Sequence, residues 1–106
     1  MSYGLKEGSF YIQCIGQQDI RFLKRVHGYF VCIDNLEFGI SKNKKGSFTV
    51  TDLITGSKVI DIESLAELKE NEKEVAIKVR EKRNTALYID DYENFNRLFN
   101  NEEELD

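Results

Sequence analysis

Period-two alternation of apolar and polar residues dominates the first sixty positions. Phe10 to Ile15 sets Phe10, Ile12 and Cys14 against Tyr11, Gln13 and Ile15, which predicts a strand. Gly16-Gln17-Gln18-Asp19 predicts a turn. Ile20 to Val26 alternates again, with Ile20, Phe22, Lys24 and Val26 opposite Arg21, Leu23 and Arg25. His27-Gly28 then interrupts, and Tyr29 to Ile33 predicts a third strand before an Asp34-Asn35 turn. Phe38 to Ser41 suits a short strand, and 43–46 a polar loop. Ser47 to Leu53 and Lys58 to Ile62 read as a hairpin about a two-residue Thr55-Gly56 turn.

The period changes after Ile62. Ser64-Leu65-Ala66-Glu67 matches a capping box, in which the serine accepts from the Glu67 amide and the glutamate reaches back. Leu65, Leu68, Val75 and Val79 lie at helical spacing, with Glu72 breaking the stripe, and predict one helix from about Leu65 to Lys82. Val75 to Val79 also alternates like a strand, but the surrounding Glu and Lys residues favour helix. Ala86 to Ile89 suits a strand or a linker. Asp90-Asp91 would cap a last helix, Tyr92 to Phe99, whose Tyr92, Phe95, Leu98 and Phe99 share a face.

These elements predict an α+β fold: an antiparallel sheet of about five strands, packed with one long helix and a short C-terminal helix. The 106 residues suit one domain over about 1–100, followed by a frayed acidic tail at 101–106. Seven Phe and five Tyr suffice for one modest core. No apolar run approaches the length of a membrane span, and 1–7 lacks the apolar stretch of a signal peptide, so a cytoplasmic location is expected.

The net charge of −4 is unevenly spread. Residues 1–58 carry eight Lys/Arg against five Asp/Glu, whereas 90–106 carry seven acids and only Arg97. An acidic whole argues against general nucleic-acid affinity, which rests on neutralising phosphates. A local basic set, Arg21, Lys24, Arg25, Lys42, Lys44 and Lys45, could still bind nucleic acid, with Tyr11 and Tyr29 stacking bases beside it. A solvated strand edge kept soluble by lysine is the commoner meaning of such a set. The acids Asp90, Asp91, Glu93, Glu102, Glu103 and Glu104 could instead present a negative surface to a basic groove on a partner protein, against the plainer reading of a solubilising tail.

Catalytic chemistry finds little support. The one histidine, His27, precedes Gly28 in a β-rich stretch and suits a turn or strand surface. Cys14 and Cys32 suit buried thiols on strands; no CxxC accompanies them, and neither a metal site nor a cofactor is expected. Asp90, Asp91 and Glu93 could hold Mg²⁺ only with a second acidic cluster, which the sequence lacks. There is no GxxxxGK[ST] or GxGxxG loop.

The segment Phe38-Gly39-Ile40 … Phe48-Thr49-Val50-Thr51-Asp52-Leu53-Ile54-Thr55-Gly56, with its hairpin return and following helix, resembles small accessory proteins of Gram-positive phages and mobile elements over about 38–82. In these a VT-x-L-x-TG hairpin precedes a helix. The Lys-, Asn- and Ile-rich composition without proline fits an AT-rich genome. The resemblance implies a non-enzymatic protein that binds and inhibits or modulates a host macromolecule, for example a component of a defence system, in the bacterial cytoplasm. It transfers no functional residue. A nucleic-acid-binding regulatory module using the basic strand face is the alternative, and an exposed sheet edge would also suit a homodimer.

Overall fold

A computed structural model gives the fold over residues 5–105, with side chains described through residue 100. Five antiparallel strands follow one another as a meander: β1 (Lys6–Ile15), β2 (Arg21–Ile33), β3 (Leu36–Lys42), β4 (Phe48–Asp52) and β5 (Ser57–Ile62). Three helices follow: α1 (Leu65–Glu70), α2 (Glu72–Arg83) and α3 (Ala86–Leu105). The fold is α+β, as the periodicities predict.

The strands differ from expectation at two joints. His27-Gly28 does not interrupt; β2 is one strand of 13 residues, with His27 opposite Ser9 and Gly28 opposite Gly8. Gly28 is needed there because a Cβ would collide with the carbonyl of Ile40 as β2 passes β3. The β4–β5 connection is not a two-residue turn. It spans 53–56, because the Asp52 carboxylate accepts from the Ile54 amide (3.0 Å) and the Asp52 carbonyl from the Gly56 amide (2.8 Å). Asp34 and Asn35 do form a two-residue turn, both with positive φ (52° and 65°), which matches the twist of the strands they join.

Register fixes two faces. Val31 and Ile33 of β2, Phe38 and Ile40 of β3, Val50 of β4 and Ile62 of β5 form one buried surface, on which Leu68 of α1 and Val75 and Val79 of α2 pack. The opposite face carries a smaller aromatic cluster, with the Phe10 and Phe30 rings tilted at 5.8 Å. A flat five-stranded sheet would hold its edges roughly 19 Å apart. Here the Gln13 amide of β1 donates to the carbonyl of Gly56, just before β5, at 2.7 Å. The sheet therefore coils until its two edge strands meet at one point.

The expected single helix over 65–82 is two helices. Ser64 accepts from the Glu67 amide at 3.2 Å, and Glu67 accepts from the amide of Glu63 rather than that of Ser64. Asn71 ends α1 by donating its side-chain amide to the Glu67 carbonyl (2.8 Å), which breaks the helix before α2 begins. Val75 to Val79 is helical: Val75, Ala76 and Val79 are buried while Ile77 is 53% exposed, the reverse of strand alternation.

The last helix departs most from expectation. Ala86 to Ile89 is its first turn, capped by the Thr85 hydroxyl accepting from the Tyr88 amide (3.3 Å). Asp90 and Asp91 lie inside the helix and cap nothing. The backbone stays helical past Asn101 through Leu105, where a frayed tail was expected. The inward stripe is Tyr88, Asp91, Phe95, Leu98 and Phe99, and Tyr92 is exposed.

Candidate partner-binding surface

Asp91 occupies an inward position on α3 and is only 7% exposed. A lone buried carboxylate would be costly; three groups compensate it. Arg21 Nη1, from the start of β2, donates to Asp91 Oδ1 at 2.7 Å. Ser57, at the start of β5, donates its hydroxyl to Oδ2 at 3.2 Å, and Lys82 Nζ of α2 lies 3.4 Å from that oxygen. Burial pushes the Asp91 carboxyl up, but the Arg21 hydrogen bond, the Lys82 charge and the Ser57 hydroxyl outweigh it and hold the group below its ordinary value.

Gln13 extends this cluster. Its side-chain amide donates to the carbonyls of Thr55 (2.9 Å) and Asp91 (3.1 Å), and its oxygen accepts from Arg21 (2.7 Å). Beside it, Asp52 pairs with Arg83 (3.3 Å), whose guanidinium lies 5.8 Å from the centre of the Tyr88 ring. Burial raises the Tyr88 hydroxyl's pKa above its ordinary value. One polar cluster thus ties β1, β2, the β4–β5 turn, α2 and α3 together.

This arrangement divides the acidic set. Asp91 is consumed in the interior and is corrected from a contact residue to a structural one. Asp90 is 58% exposed at its side chain and touches Arg21 at its edge (3.2 Å), and Glu93 is exposed one turn on. The side chains of Glu102, Glu103 and Glu104 lie outside the described residues.

The basic set divides as well. Arg21 is turned into the cluster and neutralised, so it does not belong to an open cationic face. Register puts Lys24 and Arg25, both exposed, on opposite faces of β2. Lys42, Lys44 and Lys45 are exposed at the end of β3 and in the loop after it. Tyr11 is not free to stack on a base: its ring meets Phe99 edge-on at 5.7 Å. Tyr29 is exposed.

His27 is a strand-surface residue, with Nε2 2.8 Å from Glu7 Oε1. The thiols differ from expectation, since Cys14 is half-buried and Cys32 exposed on the alternating positions of an open strand surface. Among the described residues, no three His, Cys, Asp or Glu are placed to hold a metal ion, and no helix is long and apolar enough to cross a membrane.

A surface that sequence reasoning missed lies beside the cluster. Ile15 is the cross-strand partner of Arg21, and Ile20 its chain neighbour; each is 62% exposed at the tip of the β1–β2 hairpin. The tip is held by a tight turn at Gln17–Asp19, where Gln18 and Asp19 both have positive φ (59° and 58°). Arg21, through Asp90, sets this tip beside the flank of α3 that carries exposed Leu87 one turn earlier. Alternation alone assigned Ile15 and Ile20 to ordinary strand positions; the signal available was their place at the two ends of the turn.

No protein-family model, no curated protein and no solved structure matches the chain.

Proposed function

We propose that this chain is a non-enzymatic binding protein, an accessory protein of a phage or mobile element, that docks on a basic host protein in the bacterial cytoplasm and inhibits or modulates it. The observation that carries the reading is the exposure of Ile15 and Ile20 at the two ends of the β1–β2 turn, on a hairpin that Arg21 ties to Asp90 of α3. Exposed apolar side chains near exposed carboxylates, here Asp19 and Asp90, suit an interface with a desolvated centre and a charged rim. The rim steers a partner of opposite charge, so association should weaken with salt.

The test is affinity capture from host lysate with nuclease present, comparing the wild type with Ile20→Asp and with Asp90→Lys/Glu93→Lys. Thermal melts of each variant report whether the fold survives. The expected outcome is a protein with a basic surface, held by the wild type, lost with Ile20→Asp and captured about tenfold less after charge reversal. Undiminished capture by folded variants would overturn the reading. Recovery of nucleic acid in a parallel capture without nuclease, abolished by charge reversal at Lys42, Lys44 and Lys45, would favour the second reading, a nucleic-acid module. That reading keeps the exposed loop lysines as support but lacks Arg21 and Tyr11, which are engaged elsewhere.

A further inference from the structure

We infer that the cleft between β5 and α2 binds the phosphate group of a small phosphate monoester. This proposal is independent of the partner-binding surface and lies on different residues. The cleft has a volume of about 220 Å³ and is lined by Ser57, Lys58 and Val59 from β5, Lys78, Val79 and Lys82 from α2, and Asp52. It is smaller than the roughly 300 Å³ at which drug-sized pockets begin, so it suits a single phosphate with a short organic body.

Three lysines line this cleft in a chain whose net charge is −4. Two of them are held in place by carboxylates. Lys58 Nζ lies 3.1 Å from Asp61 Oδ2 on the solvent side, and Lys82 Nζ 3.4 Å from Asp91 on the interior side. Lys78 makes no ion pair among the described residues, and it stands one helical turn before Lys82, on the same side of α2. The acids nearest the cleft are already answered: Asp52 by Arg83, and Asp91 by Arg21 as well as Lys82. With Lys58 set against Asp61 as well, Lys78 is the lining cation without an ion pair among the described residues, although Glu74 and Glu81 stand one turn either side of it on α2.

The floor is apolar. Val79 is buried, and Val59 packs against the same core. Low-dielectric walls concentrate the field of the surrounding ammonium groups on whatever occupies the space. A phosphate dianion would take its strongest charge-assisted hydrogen bonds from Lys78, share Lys58 and Lys82 with their carboxylates, and leave the ester's organic group on the two valines. The Ser57 hydroxyl, now donating to Asp91, lies at the inner wall as a further polar contact.

The experiment is a titration of ¹⁵N-labelled full chain with phenyl phosphate, with orthophosphate, and with chloride at matched ionic strength. It is followed by amide shifts and repeated on Lys78→Ser. The expected result is saturable movement confined to the amides of 57–59 and 78–82. Phenyl phosphate should bind more tightly than orthophosphate, and Lys78→Ser should weaken both about tenfold. Lys78 makes no hydrogen bond or ion pair among the described residues, and the amide spectrum of the free variant serves as its folding control. Shifts reproduced by chloride, shifts spread over the surface lysines, or equal binding by Lys78→Ser would each overturn the proposal. Equal affinity for the two phosphates would overturn the ester and its apolar floor.

Discussion

Asp91 is the residue on which the fold depends most unusually. Replacing it with alanine leaves Lys82 without its carboxylate and Arg21 with only the exposed Asp90, and the expected loss is about 2–4 kcal/mol in urea unfolding. Asp91→Asn keeps the shape and should lose less. The same pair of proteins tests the titration. The Asp91 carboxyl is held below its ordinary value, so the unfolded chain binds its proton at a higher pH than the folded one. Its contribution is full above the unfolded value near 3.9 and is lost as pH falls through the folded value. The stability gap between wild type and Asp91→Asn should therefore stay level from roughly pH 8 to 5 and close below about pH 4. A gap that widens on acidification would contradict this arrangement.

The elements show which parts of a fold are legible from sequence. The serine cap at Ser64 is, because its donor and acceptor lie three residues apart, although the return contact of Glu67 goes to the Glu63 amide. Ser64→Ala should cost about 1 kcal/mol by chemical denaturation, and Ser64→Asp should restore most of it. The strands of the meander are legible for the same reason, since alternation and turn chemistry are local. The break at Asn71 is less so: it turns on one side-chain amide reaching back to the Glu67 carbonyl. The face of α3 is least legible. Its apolar pattern assigns Tyr92 inward and Asp91 outward, because a carboxylate counts as polar until its partners are known. Those partners include Arg21, 70 residues away in the chain, and Gln13, 78 residues away from the Asp91 carbonyl. The exposure of Ile15 and Ile20 is hidden from the sequence for a related reason, since alternation gives a face but not whether anything covers it.

At the scale of the whole molecule, α3 and the sheet depend on each other. Phe95 and Phe99 stack at 6.2 Å, and Phe99 covers Tyr11. Ending the chain after Thr85 would remove these rings together with Asp91. The expected outcome, read by scanning calorimetry, is loss of the cooperative transition and gain of dye-binding apolar surface. A truncated chain that melts as sharply and as hot as the full one would show α3 to be an appendage. The junction of Gln13 with Gly56 and Asp91 has a consequence for synthesis. The ribosome releases the hairpin early and the helix that seals it late, so the nascent sheet waits with a vacant socket of donors beside an uncovered tyrosine. That socket accepts a carboxylate followed one and two turns later by aromatic rings, a pattern that a neighbouring nascent copy also carries. Crowded translation would therefore open the chain to exchange of α3 between copies, and the two-residue link of Asn84 and Thr85 adds to that tendency, since a short hinge invites swapping where a longer one lets the helix fold back.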